Sequence, residues 1–284
     1  MSVASVQHAL PTETSPPRPG LLLPALSLCR RELVRFVRQR NRVIGALATP
    51  VVFWLLIGAG MGRSFVDPAQ GGGAAGRGYM EYFFPGTVAM ILLFTAIFST
   101  ISIIEDRREG FLQGVLVAPV SRMAIVLGKV LGGTILAVGQ GVLFLILAPF
   151  VGIKLSLAGI GLTLVVMVVL AFALTALGFC LAWRMSSTQG FHAIMNLFLM
   201  PMWLLSGALF PVSGAMGGIG WVMRLNPLTY GLAALRWAMY WGEDVMSASL
   251  PRFGVSFGVT MVFAIMMFVL ASLVARRHTT ADLQ

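Results

Sequence analysis

The residues of this chain that could form ionic contacts with a partner are concentrated in one stretch. Residues 105–122 carry six charged side chains between two long apolar runs, and five of the six are consecutive. These five are Glu105, Asp106, Arg107, Arg108 and Glu109. Carboxylate and guanidinium groups form strong hydrogen bonds because both partners are ionised. The stretch is therefore a candidate docking surface for another protein.

The apolar residues that follow these charges predict a short helix over residues 106–118. Those that recur at helical spacing are Phe111, Leu112, Val115 and Leu116. Pro119 ends the helix, because proline has no amide hydrogen and disfavours helical geometry at the residue before it. A short amphipathic helix between two apolar runs suits docking on a soluble partner. The alternative is a solvated loop that only anchors two helix ends, and the stretch alone leaves both open.

The composition indicates a membrane protein that crosses the bilayer several times. Hydrophobic residues make up 58% of the chain and charged residues 11%, against roughly 25% charged residues in soluble domains. The long charge-free runs are 43–62, 82–104, 130–153, 155–183, 185–223 and 253–275. A spanning helix needs about 20 residues, so five runs fit one span each. Pro201 and Pro211 interrupt the run 185–223, which is too short for two spans and a turn.

We therefore predict an all-α polytopic membrane protein with six transmembrane helices, an N-terminal interfacial helix, a cytoplasmic coupling helix and an outer re-entrant segment. The predicted spans are about 43–62, 82–104, 123–150, 158–183, 189–209 and 253–275, within a membrane domain over 43–275. The proline-rich residues 1–20 are predicted to be a disordered tail, and residues 276–284 a cytoplasmic tail. Gly128 and Gly132 have the spacing that lets helices pack closely in membranes.

The basic residues predict the orientation of the chain. The net charge of +10 would suggest nucleic acid as the partner of a soluble protein. Here 14 of the 20 lysines and arginines fall on the side that is cytoplasmic when the N-terminus is inside. This bias sets the orientation of membrane proteins, so we predict cytoplasmic termini and no nucleic-acid partner. Cys29 and Cys180 imply no disulfide framework.

Residues 21–42 predict an amphipathic helix that lies in the membrane interface. On a helical wheel, Leu22, Leu26, Cys29, Leu33, Phe36 and Val37 form an apolar stripe, opposite a basic stripe of Arg31, Arg35, Arg38 and Arg42. We expect the apolar stripe to contact lipid and these arginines to lie among anionic headgroups. The alternative is an unstructured basic flank that only fixes orientation.

Residues 211–241 predict a segment that re-enters the membrane without crossing it. Clustered glycines interrupt the apolar run, and Asn226–Pro227 begins a helix that continues to about Trp241. Non-helical backbone at membrane depth is tolerated only where protein covers it or where it lines a cavity. We therefore expect this segment to close the outer end of a pathway. Asn196, in the preceding span, either bonds a neighbouring helix or contacts a substrate.

Several kinds of chemistry lack their sequence motifs. The chain has no Gly-x-x-x-x-Gly-Lys-Ser/Thr for ATP and no His-Glu-x-x-His. Its histidines, His8, His192 and His278, are far apart, so no metal site is supported. We predict no catalytic residue and no cofactor bound by this chain. Charges buried in the middle of a span, which are typical of ion-coupled transporters, are also missing.

Three motifs resemble those of membrane subunits of type-2 ABC exporters, especially drug-resistance and daunorubicin-efflux-like permeases of bacteria. Gly110–Leu112 with Leu116–Arg122 is similar to the family's coupling segment, Ser206–Pro211 to its outer end of span five, and Leu225–Tyr230 to its re-entrant segment. The resemblance covers about residues 22–277. It implies that residues 105–112, the last of which are Gly110, Phe111 and Leu112, couple the chain to an ATPase. It also implies a re-entrant gate formed by Pro211, Asn226, Pro227 and Tyr230.

The resemblance also implies partners and a substrate class. Two such subunits would pair, as a homodimer or a heterodimer, and bind separate ATPase subunits that hold ATP and Mg. The complex would export an amphipathic or lipid-like substrate, such as a drug, lipid or glycan, across the bacterial inner membrane. Family members often carry a charged residue where Gln113 and Gly114 stand here. The alternative is a channel or a scaffold protein that needs no ATPase.

Overall fold

The computed structural model describes residues 20–61, 78–212, 217–242 and 250–276, and the side chains of 40–43 and 46 lie outside this description. The two predicted tails, 1–20 and 276–284, fall almost wholly outside these ranges. Most of the outer loop between the first two predicted spans does so as well. The prediction that residues 1–20 are disordered therefore concerns residues beyond the described part of the chain.

The described residues form eleven α-helices and no strand, which confirms the all-α fold class. The helices are α1 (Leu22–Arg38), α2 (Arg40–Met61), α3 (Tyr79–Ser99), α4 (Ile101–Arg108), α5 (Phe111–Val117), α6 (Arg122–Leu145), α7 (Leu157–Trp183), α8 (Thr188–Trp203), α9 (Gly217–Leu225), α10 (Pro227–Met239) and α11 (Phe253–Arg276). A 3₁₀ turn follows α6 at Ala148–Val151, and a π-helical segment follows α8 at Leu204–Ala208.

Among the described residues, five helical stretches are long and apolar enough to cross a membrane. They are Tyr79–Arg108, Arg122–Leu145, Leu157–Trp183, Thr188–Ala208 and Phe253–Arg276. The polytopic membrane architecture is thus confirmed. The predicted span at 43–62 corresponds to α2, whose apolar part, Leu47–Met61, is shorter than the others. The count of six spans stays a prediction for that reason.

Helix α3 is the centre of the bundle. Nearly all of its side chains are buried, including Phe83, Phe84 and Leu92. It packs against α2, α6, α7 and α10. A helix that is apolar on every side is buried on every side, and the sequence of α3 is of this kind. Only a single turn residue, Thr100, separates α3 from α4, so the two helices form one continuous stretch that ends in the charged residues.

Two glycines bring α1 against α6. A Cβ atom on Gly128 would lie 2.7 Å from the carbonyl oxygen of Ala25, and one on Gly132 would lie 2.9 Å from the Cβ of Glu32. Distances below 3.0 Å do not occur between real atoms of this kind, so only glycine permits this approach. The prediction that these glycines serve close helix packing is confirmed, and their partner is α1.

Gly128→Ala is expected to destabilise the protein by about 1–3 kcal/mol, the usual cost of inserting a methyl group into a closely packed contact. The clash is with backbone, which cannot rotate away. Gly139→Ala is the matched control, since Gly139 lies on the same helix and has no atom within 4 Å of an added Cβ. Thermal unfolding of the purified full chain measures both. Equal melting temperatures for the two variants would contradict the close contact of α1 and α6.

Candidate functional site

A buried group of three charged side chains joins α1, α4 and α6. We call it the charge cluster; its members are Glu32, Asp106 and Lys129, whose side chains are 6%, 0% and 3% exposed. The Lys129 ammonium donates to the Glu32 Oε1 atom at 2.5 Å, to the Ser102 hydroxyl at 3.2 Å and to the Asp106 carboxylate. All three hydrogens of the ammonium therefore have an acceptor. Buried charges are stable only when paired in this way.

Two arginines of α1 extend the charge cluster to the surface. Both terminal nitrogens of Arg31 donate hydrogen bonds to the Asp106 carboxylate, at 2.9 and 2.8 Å. Arg35 donates to Asp106 at 2.9 Å and to Glu109 at 3.1 Å, and it lies 3.0 Å from a Glu105 oxygen. Burial lowers the pKa of Arg31, but the hydrogen bonds and charge of Asp106 outweigh this and raise the pKa overall. Arg31 therefore keeps its charge.

These contacts correct the expectation that the four arginines lie among lipid headgroups. It is wrong for Arg31 and Arg35, which are one helical turn apart on the side of α1 that faces α4 and are half-buried there. Arg38 is exposed, and the side chain of Arg42 lies outside the description. The opposite side of α1 exposes Leu22, Leu26 and Val37. The interfacial position of α1 remains a prediction.

The predicted coupling helix at 106–118 is two separate elements. Helix α4 ends at Arg108, Gly110 has a left-handed backbone with φ of 75°, and α5 begins at Phe111. Glycine adopts this conformation without steric cost, which is why the chain turns there. Residues 105–108 therefore belong to the end of a long helix, and only α5 is a connector between spans.

Arg107 and Arg108 bond within the chain, although the role of exposed Arg108 as a contact to a partner stays a prediction. Arg107 donates to the carbonyl oxygens of Trp183 at 2.7 Å and Met185 at 3.0 Å. Arg108 donates to the carbonyl oxygen of Ser186 at 3.0 Å. The last carbonyls of a helix lack internal donors and carry negative partial charge. The two arginines therefore fix α4 to the junction of α7 and α8.

The apolar face of α5 is also turned inward. Leu112 is 3% exposed, and the ring of Phe111 is half-buried with the Arg31 guanidinium 3.7 Å from its centroid. Leu112 is therefore covered by the chain itself, which corrects its expected part in direct contact with an ATPase, whereas the part expected of half-buried Phe111 stays a prediction. The side chain of Val117, which the sequence did not single out, is instead 88% exposed. Gln113, Gly114 and Pro119 are exposed beside it.

Glu32 and Lys129 are functional candidates that sequence reasoning missed. Glu32 is an acidic residue in a basic helix, and it lies on the buried side with Ala25 and Cys29. Lys129 was counted only as one of the basic residues that set orientation. The signal that could have found it is its position three residues before Gly132, which places it about 60° from that glycine round α6 and so beside the neighbouring helix.

At the opposite end of the bundle, the end of α8 is a broken helix that protein covers. The carbonyl oxygen of Gly207 accepts hydrogen bonds from the Tyr82 hydroxyl at 3.2 Å and from buried Arg236 at 2.9 Å. The Tyr79 hydroxyl donates to the carbonyl oxygen of Leu209 at 3.2 Å. These donors satisfy carbonyls that the break at 204–208 removes from the helix. Non-helical backbone at membrane depth requires such cover.

Asn226 and Pro227 begin α10, as the sequence predicted. The Asn226 side-chain oxygen accepts from the backbone amide of Leu228 at 3.0 Å, which is a helix cap. Its amide nitrogen donates to the carbonyl oxygen of Met202 at 2.6 Å, which holds α10 to α8. Pro211 and Tyr230 are half-buried. The role of these residues as a gate remains a prediction.

A groove of about 620 Å³ lies among α1, α2, α3 and α8. Its walls are largely apolar, with polar groups among them. The apolar residues of the walls include Phe36, Phe53, Met90, Phe94, Phe98 and Met200. The polar ones include Gln39, Thr95, Glu105 and His192. Asn196 is exposed, contrary to its expected burial, and it lies one turn from both His192 and Met200 on α8. It therefore belongs to the side of α8 that faces this groove.

The comparisons with known proteins agree with this architecture. The model of the ABC-2 type transporter family matches residues 25–240. The chain is similar to Nodulation protein J of Rhizobium meliloti (strain 1021), with 27% identity over 83% of this chain and 86% of the relative. It is also similar to a protein of Cyanophora paradoxa named as a transport permease, ycf38, with 23% identity over 84% of this chain and 82% of the relative.

The matched range includes the charge cluster, the groove and the covered break after α8. The chain belongs to the ABC-2 type transporter family. It is therefore a multi-pass membrane permease, as its resemblance to type-2 ABC permeases predicted. Permeases of this family transport substrates and are generally not enzymes themselves.

Lys129→Met is expected to destabilise the protein by about 3 kcal/mol or more, because it leaves Glu32 buried without its partner. Lys154→Met, which changes an exposed lysine before α7, is expected to have little effect. Thermal unfolding of the purified chain, together with protease cleavage near α1, measures both variants. A Lys129→Met protein with wild-type stability and an uncleaved α1 would contradict the importance of the charge cluster.

Proposed function

We propose that this chain is the membrane subunit of an ATP-driven exporter in the bacterial inner membrane, with both termini in the cytoplasm. It pairs with a second permease subunit, identical or homologous, and with separate ATPase subunits that hold ATP and Mg. The observation that supports ATP coupling best is the mechanical link between the connector α5 and the spans. That link is the charge cluster together with the two arginines at the end of α4.

The docking surface for the ATPase is the exposed side of α5 and its flanks. Val117 is an apolar side chain that is 88% exposed, and the exposed Gln113 and Gly114 lie one helical turn before it on α5. Apolar anchors of this kind carry much of the energy of protein interfaces. This surface replaces the one expected from Leu112, which packs on the chain itself.

Movement of α5 is transmitted by α4, because α4 is tied to its neighbours on two sides. Asp106 binds α1 and α6, and Arg107 binds the junction of α7 and α8. Helix α4 also continues into α3, which contributes Phe94 and Phe98 to the groove. A displacement of the connector therefore reaches both the α3 wall and the α8 wall of the groove.

The groove supports an amphipathic or lipid-like substrate, such as a drug, lipid or glycan. Its volume of about 620 Å³ lies within the range of small-molecule sites, about 300–1,000 Å³. Phe53, Met90 and Met200 provide apolar walls, whereas Gln39 and Glu105 lie near the end of the groove that carries α4. An apolar body and a polar end can be accommodated together. Asn196 would meet such a substrate on α8.

Val117→Asp tests the docking surface. It is expected to weaken binding of the ATPase subunit by at least tenfold, since truncated interface anchors cost about 2 kcal/mol or more. Expression and membrane insertion should be unchanged, because the side chain contacts solvent. Leu157→Asp is the matched control, as Leu157 is equally exposed, at 88%, and lies at the other end of the chain's spans.

The measurement is co-purification of the ATPase subunit with each variant, followed by substrate-stimulated ATP hydrolysis in reconstituted vesicles. The proposal predicts loss of both for Val117→Asp and retention of both for Leu157→Asp. Wild-type binding and hydrolysis in Val117→Asp would contradict the docking surface. Transport by the purified chain without any ATPase subunit would favour the channel alternative.

A further inference from the structure

Helix α1 presents sides of different chemistry around its axis. At 100° per residue, the buried residues Ala25, Leu28, Cys29, Glu32 and Phe36 fall together on the side that faces α6. Leu22, Leu26 and Val37 fall on a neighbouring side, about 100° round the axis, and are exposed. Arg31 and Arg35 fall on the side that faces α4. The side that faces α6 and the side that faces α4 therefore have partners in the structure.

Arg30 and Arg38 lie between the exposed apolar side and the side that faces α4, with Arg30 next to the apolar side and Arg38 next to the α4 side. Both are exposed, and neither forms an ion pair with the residues that the structure describes. They line a groove of about 630 Å³ together with Ser27, Val34 and Glu109. Their Cα atoms are eight residues apart, about 12 Å along the helix. The groove therefore has an arginine near each end.

The charge of this groove is positive. Glu109 is on its wall, but Arg35 binds that carboxylate at 3.1 Å. Arg31 is likewise balanced by Asp106. The charges of Arg30 and Arg38 are left without a carboxylate among the described residues. Arginine is well suited to phosphate, which its planar group can bind through two hydrogen bonds.

We propose that this groove binds the phosphate-bearing headgroup of an anionic phospholipid in the leaflet where α1 lies. The arginines hold the headgroup, and its acyl chains cover Leu26 and Val37 on the adjacent apolar side. A free phosphate ion could meet the same arginines, but it would leave that apolar side in water. The proposal can be tested separately from the proposed function, because its measurement uses neither the ATPase nor the transported substrate, although Gln39 borders both this groove and the substrate groove.

The test uses the purified full chain in mixed micelles with spin-labelled phosphatidylglycerol or phosphatidylcholine as the probe. The wild-type chain is expected to immobilise the phosphatidylglycerol probe in preference to the phosphatidylcholine probe. Arg30→Gln and Arg38→Gln are each expected to reduce this preference by about fivefold, since a basic residue contributes about 1 kcal/mol near anionic lipid and 1.4 kcal/mol corresponds to tenfold. Both side chains are exposed, so the melting temperature should not change.

The control is the double variant Arg224→Gln, Arg252→Gln, which removes two exposed arginines from elsewhere on the chain. The proposal predicts that it keeps the wild-type lipid preference. Equal loss in this control would show a general effect of net charge and would overturn the site, as would unchanged preference in Arg30→Gln, Arg38→Gln. Displacement of the lipid by millimolar inorganic phosphate would show a free-anion site instead. Loss of ATPase binding in Arg30→Gln or Arg38→Gln, with unchanged lipid preference, would show that the groove binds an acidic protein partner instead.

Discussion

The carboxylate of Asp106 is the group on which the arrangement of this permease depends. It has no exposed surface, and it accepts hydrogen bonds from Lys129, Arg31 and Arg35. A carboxylate removed from water is costly unless cations and hydrogen bonds compensate it. Its donors come from α1 and α6, so neither helix can leave α4 without exposing or unpairing a charge. Gly128 and Gly132 let α1 approach closely enough for Glu32 to complete this arrangement.

The same short helix that carries Asp106 connects the moving parts of the proposed transporter. One turn of α4 binds α1, α6 and the end of α7, and α4 continues into the most buried span. The connector α5 lies directly beyond Gly110. At the other end of the bundle, Arg236 and Tyr82 bind the broken end of α8 through a single carbonyl oxygen. Interactions at both ends thus act on helices that border the groove.

Much of the fold could be predicted from the sequence, because it rests on local rules. Apolar runs gave the all-α membrane architecture, a proline after a capping asparagine gave the start of α10, and the spacing of Gly128 and Gly132 gave a close helix contact. The charged residues 105–109 could be found in the sequence, but the groups that they bind could not be predicted from it. Periodicity shows which residues share a face of a helix, but it does not show what that face meets. Arg107 was therefore expected at a partner and instead caps α7.

The candidate docking surface illustrates the same limit. Leu112 and Val117 are both apolar residues of one short helix, and their types do not distinguish the buried one from the exposed one. The choice depends on the left-handed turn at Gly110, which rotates α5 relative to α4. Lys129 was also hidden, because its partners come from distant parts of the chain.

A double-mutant cycle between Glu32 and Lys129 tests the central claim most directly. The free energy of unfolding is measured in mixed micelles for the wild type, Glu32→Gln, Lys129→Met and the double variant. If the charge cluster holds α1 to the bundle, the double variant loses less than the sum of the single changes, by about 1 kcal/mol or more. Additive losses, with a coupling near zero, would contradict the account.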